Sequence, residues 1–98
     1  MKLGVKMKKN EKAGLILLIE DNRNLSEVMG ELFEQKGFSV DFASDGLDGY
    51  RFACQNSYGV IVLDLNMPRM DGLQICHRLR LEAKISTPIL MLTARDAV

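Results

Sequence analysis

The sequence has no excess charge of either sign, almost no cysteine and no long apolar run. Its 13 basic and 13 acidic side chains give a formal net charge of zero. A dedicated nucleic-acid binder usually carries a basic excess, so that class is disfavoured. Cys54 and Cys76 lack metal-ligand spacing, and a disulfide scaffold needs more cysteines than two. Reduced thiols in a cytoplasmic protein fit better. No segment approaches the ~20 apolar residues that span a bilayer. The run LILLI, Leu15 to Ile19, is too short for the apolar part of a signal peptide. Internal repeats and low-complexity segments are lacking too.

What is present suits one domain of modest size. Residues 1–13, basic and polar, read as a solvated, disordered leader. Residues 14–98 read as the folded unit. Leu15 to Ile19 has the uniform apolar character of a strand covered on both faces. From about Asn24 the period changes: Leu25, Val28, Met29, Leu32 and Phe33 fall on one helical face, closed by Lys36-Gly37. Phe38, Val40 and Phe42 alternate with polar residues, a strand exposed on one side. A helix from about Leu47 to Gln55 is expected to turn Leu47, Tyr50 and Cys54 inward. Val60 to Leu63 is a third strand. A helix from about Leu73 to Glu82 is expected to bury Leu73, Cys76 and Leu79. Thr87-Pro88 leads into a fourth strand, ILMLT, ending near Thr93. Strands alternating with helices through short connections predict an α/β fold with a parallel sheet.

The stretch VIVLDLNMPRMDG, Val60 to Gly72, drives a buried strand straight into Asp64. In a parallel sheet all carboxyl ends share one edge, and ligands bind in the crevice there. Glu20-Asp21 follows the first strand, Asp64 the third, and Thr93 ends the fourth. If the first and third strands are neighbours, Glu20, Asp21 and Asp64 crowd together. Two unit charges about 5 Å apart repel by about 3 kcal/mol at an effective dielectric of 20. A divalent cation offsets that most simply, and hard oxygen donors favour Mg²⁺. The Asn66 carbonyl can turn back toward the same ion, while Asp71 could instead cap the next helix. A carboxylate beside Mg²⁺ can attack phosphorus and form an acyl phosphate. A Thr93 hydroxyl could donate to a phosphoryl oxygen. The plainer alternative is that these acids are helix caps and solvated loop residues.

Glu20-Asp21, LDLNMPRMDG around Asp64, Thr93-Ala94 and the spacing between them resemble the receiver domains of bacterial two-component response regulators. The resemblance covers Leu15 to Val98. It implies a flavodoxin-like parallel sheet with strand order 2-1-3-4, the fifth strand and its flanking helices missing. It also implies that Asp64 accepts a phosphoryl group from a sensor histidine kinase. Asp21, Asp64 and the Asn66 carbonyl would ligate Mg²⁺, with Glu20 helping through water, and Thr93 would act as the switch hydroxyl. The ending LTARDAV looks most like receivers joined to winged-helix DNA-binding domains. The family's fifth-strand lysine and aromatic have no counterpart here, and Lys84 precedes the fourth strand. Impaired switching is therefore expected, as is self-association or element exchange through an open fourth-strand edge.

Two other readings compete. A Mg²⁺-dependent phosphatase of the haloacid dehalogenase type also uses a strand-end aspartate, but needs a general acid where this chain has Asn66. A pure interaction fragment would work by sheet-edge pairing alone. His77 reads as a surface residue, and the cysteines and methionines as core filler. No direct nucleic-acid or membrane contact is expected.

Overall fold

The computed structural model describes residues 14–65, 67 and 72–92. The expected leader, Asn66, Asp71 and Thr93 lie outside the described residues. The element order is β1 (Leu15–Ile19), α1 (Arg23–Gln35), β2 (Ser39–Ala43), α2 (Gly46–Gln55), β3 (Val60–Asp64), α3 (Gly72–Leu81) and β4 (Ile89–Leu92). All strands are parallel and ordered β2-β1-β3-β4, as expected.

β1 and β3 occupy the middle of the sheet, which explains their unbroken apolar sequences. Leu17, Ile19, Ile61 and Leu63 point into one core, shared with Ile75 and Leu79 of α3. Ile16, Leu18 and Val62 point into the other, against Met29 and Phe33 of α1. Burial of each such aliphatic side chain contributes about 1.5–3 kcal/mol.

Helix ends follow local chemistry. The Asn22 side chain caps α1 by accepting the Leu25 N–H at 3.1 Å, and Asp45 caps α2 by accepting the Asp48 N–H at 2.8 Å. Gly37, at φ +97°, closes α1, and the Phe38 N–H reaches back to the Phe33 carbonyl at 3.1 Å.

The helix faces differ from the sequence expectation. On α1, Met29 and Phe33 meet the sheet, but Leu25, Val28 and Leu32 are 42%, 54% and 52% exposed. The cause is how α1 leans. Its Gly30 lies against the Phe42 ring of β2, so the helix leans toward β2. The rest of its apolar stripe is left exposed among the described residues. Leu90, beside Val62 in register, is exposed on the sheet face that α1 packs against.

α2 buries Gly46, Gly49 and Ala53, while Leu47 and Cys54 are exposed and Tyr50 is half-buried. A Cβ at Gly49 would stand 2.5 Å from Ile19 Cδ1, so the helix backbone rests almost directly on β1. α3 buries Gly72, Ile75 and Leu79; Leu73 is exposed and Cys76 only half-buried. In both helices the expected face was chosen by residue size, whereas the contact is made partly through glycine. Both cysteines are free thiols, and Cys54 is not core.

Candidate functional site at the carboxyl edge of the sheet

β1 and β3 run in register, with Ile19 opposite Leu63. The next residue of each strand is an acid, so Glu20 and Asp64 emerge side by side. The Glu20 N–H donates to the Ala43 carbonyl at 3.0 Å, tying this end of β1 to β2. The Leu65 N–H donates to the Leu92 carbonyl at 3.0 Å, tying the end of β3 to β4. The backbone beneath the carboxylates is thus held on both sides.

One carboxylate oxygen from each of Glu20, Asp21 and Asp64 lies within 4.8 Å of the others. Glu20 and Asp64 are buried, at 4% and 8% exposure, and Asp21 is open to solvent. Burial pushes the Glu20 carboxyl up from 4.5 to about 7; the Asn22 N–H, donating to Glu20 Oε2 at 3.0 Å, works against that, while the charge of Asp64, a hydrogen bond with it and the charge of Asp21 raise it further. The donor set is all hard oxygen, tightly spaced and partly desolvated. It fits a small divalent cation such as Mg²⁺, which takes one or two carboxylates and keeps several waters.

The start of α3 is held close to the end of β3. A Cβ at Gly72 would meet Leu65 Cα at 2.8 Å and the Asp64 carbonyl oxygen at 3.0 Å. Only a residue without a side chain lets α3 start so near the Asp64 backbone.

Beside the acids opens a cleft of about 620 Å³, running between the starts of α1 and α2. Glu20 and Asp21 share it with Arg23, Ser26, Ser44 and Asp48. Sequence reasoning picked out none of the last four, because nothing in their local pattern marks a cleft. The structure brings together three of the five expected site residues, Glu20, Asp21 and Asp64. Asn66 and Thr93 lie outside the described residues. Lys84, at φ +57°, sits in the α3–β4 connection, away from this edge.

Residues 16–98 match the family model described as the response regulator receiver domain. The chain belongs to that family, a signalling class and not a conventional enzyme, which sets the phosphatase reading aside. It is 43% identical over 83 residues to the transcriptional regulatory protein HprR of Escherichia coli, covering 85% of this chain and 36% of HprR. It is 45% identical over 83 residues to TctD of Salmonella typhimurium, covering 85% of this chain and 37% of TctD. The chain thus spans about a third of the length of these relatives. Among solved structures, Thermotoga maritima TrrA in complex with Mg²⁺-BeF matches with a TM-score of 0.78 at 28% identity, over 84% of this chain and 70% of that one. TrrA in complex with the histidine kinase ThkA matches with a TM-score of 0.77 at 28% identity, over 85% and 71%.

Proposed function

We propose that residues 14–98 form a phosphoacceptor unit of two-component signalling, in which Asp64 accepts a phosphoryl group from a sensor histidine kinase in the cytoplasm. The observation that carries this reading is the convergence of Glu20, Asp21 and Asp64 within 4.8 Å at the carboxyl edge of a parallel sheet. The relative crystallised with a histidine kinase supports the partner, and the relative in complex with Mg²⁺-BeF supports the metal.

In the transfer, an Asp64 carboxylate oxygen attacks phosphorus. The bond from phosphorus to the donor's leaving atom breaks, and its electron pair departs with that atom: acetate from acetyl phosphate, or a histidine ring nitrogen that takes up a proton from water. Asp21, Asp64 and the Asn66 carbonyl would hold Mg²⁺, with Glu20 acting through water. The ion, when bound, offsets negative charge on the carboxylate and the phosphoryl oxygens. Glu20 and its bond to the Asn22 N–H fix the buried side of the cluster, while exposed Asp21 faces the approaching donor. Thr93 would supply the switch hydroxyl. Intact-mass analysis after incubation with acetyl phosphate and Mg²⁺ tests the reading. One added phosphoryl group, absent from Asp64→Ala, is expected; an unmodified wild-type chain would count against it.

A second reading is association through β4, alone or alongside phosphorylation. Among the described residues β4 is an edge strand, with Leu90 and Met91 55% and 37% exposed. Such an edge is a template for pairing with another chain.

A further inference from the structure

Arg23 is the one cation among the described residues lining the cleft beside the carboxylates, and we propose that it binds the phosphodonor, its guanidinium taking oxygens of the incoming phosphoryl group. The inference rests on the reading of Asp64 as phosphoacceptor and adds a specificity-determining residue to it.

Charge favours a cation here. A phosphoryl group is an anion, and it must approach a site built from three carboxylates. Each like-charge pair about 5 Å apart costs about 3 kcal/mol at an effective dielectric of 20. Glu20, Asp21, Glu27 and Asp48 line the cleft with Arg23, so its other charged groups all repel a donor. Arginine suits the task because its planar fork offers parallel N–H donors to two phosphoryl oxygens.

Position favours Arg23 as well. Arg23 is the first residue of α1 and follows Asp21 by two. Its backbone is fixed on either side: the Asn22 N–H donates to Glu20 Oε2, and the Ser26 N–H donates to the Asn22 carbonyl at 2.9 Å. The Ser26 hydroxyl donates to the Arg23 carbonyl at 3.1 Å. The base of the side chain is therefore tied to the carboxylate cluster while its tip is open to solvent.

Local rules disfavour this residue here. The positive end of the helix dipole lies at the start of α1, where a cation is unfavourable by about 0.3–1 kcal/mol. The first turn of α1 contains no acid, whereas that of α2 contains Asp48. Functional sites are where local rules are commonly broken. Packing offers no stabilising return, because the Arg23 side chain is 86% exposed. Its ion pair with Glu27, at 4.0 Å and also exposed, is of the weak kind that a phosphoryl oxygen readily displaces.

The test is the rate of acyl phosphate formation against acetyl phosphate concentration, at saturating Mg²⁺, followed by intact mass. Arg23→Gln is expected to raise the half-saturating donor concentration about three- to tenfold while leaving the saturating rate unchanged. Arg23→Lys is expected to fall between the two, since it keeps the charge and loses the fork. Glu27→Gln is expected to move the same quantity down, by freeing the guanidinium. Lys36→Gln makes an equal charge change about 20 Å along α1 and is expected to leave it unmoved. The melting temperature of Arg23→Gln should not fall. A wild-type chain that is labelled normally, with Arg23→Gln showing unchanged donor dependence or shifting no more than Lys36→Gln, overturns this inference alone. A wild-type chain that is never labelled overturns the phosphoacceptor reading with it.

Discussion

Ile19 and Leu63 are register partners across β1 and β3, and that pairing places Glu20 beside Asp64 at the next position of each strand. Two buried carboxyls side by side cost stability wherever both are ionised, and the cost depends on pH and on magnesium.

The Glu20 carboxyl is held up at about 7, first by burial and then by its acidic neighbours. Between its unfolded value of 4.5 and about 7 the folded chain binds the extra proton, so stability falls as pH rises through that window and levels off above it. The span corresponds to at most about 3 kcal/mol. Thermal melting of the metal-free chain at pH 5 and pH 8 is expected to show the higher midpoint at pH 5, and Glu20→Gln should flatten the difference. Protons and metal compete for the cluster, so Mg²⁺ affinity is expected to rise as pH increases through about 7.

Asp64→Asn removes one charge from the crowd without changing its shape. Without metal, this variant is expected to melt several degrees above the wild-type chain. With millimolar Mg²⁺ the wild-type chain should gain more than the variant, because binding to the folded state stabilises it. Paired melting curves with and without Mg²⁺ read both effects.

Gly49→Ala and Gly72→Ala should differ in what they damage. The new methyl at residue 49 meets the fully buried Ile19 side chain, so a loss of about 1–3 kcal/mol is expected in chemical denaturation. At residue 72 it meets the backbone of Leu65 and the Asp64 carbonyl. That strain bears on the backbone that carries Asp64, so, on the proposed role of Asp64, Gly72→Ala is expected to slow labelling by acetyl phosphate more than Gly49→Ala does at matched stability.

Leu90 of the edge strand β4 and the α1 residues Leu25, Val28 and Leu32 are exposed on the same side of the sheet. Sedimentation velocity is expected to show concentration-dependent association that Leu90→Lys weakens, as charged residues do at natural sheet edges. A single monomeric species over a wide concentration range would remove this proposal.

Much of this architecture was legible from residue pattern. LILLI and VIVL read as central strands because residues buried on both faces leave no polar alternation, whereas the strand order came only with the family resemblance. The helix faces were less legible. Gly49 and Gly72 carry close contacts of α2 and α3, and a search for large apolar residues passes over them. Tyr58 was missed in the same way. It lies in a turn-like stretch, yet it is 2% exposed, and its hydroxyl donates to Asp41 Oδ2 at 2.8 Å. Burial pushes the Tyr58 hydroxyl pKa up, and the hydrogen bond and the Asp41 charge push it further. The acids of the site stood out because a charge ending a buried strand is conspicuous in sequence, whereas Ser44 becomes a neighbour of the site only through the fold and Arg23, though two residues from Asp21, carries no such pattern.

The central claim is that Asp64 carries the phosphoryl group and that magnesium is required. Borohydride reduction after treatment with acetyl phosphate converts an aspartyl phosphate to homoserine, which peptide sequencing by mass spectrometry locates. Homoserine at position 64, formed with Mg²⁺ and absent when the metal is chelated, is the expected result. Homoserine at another aspartate, or at none, would contradict the account.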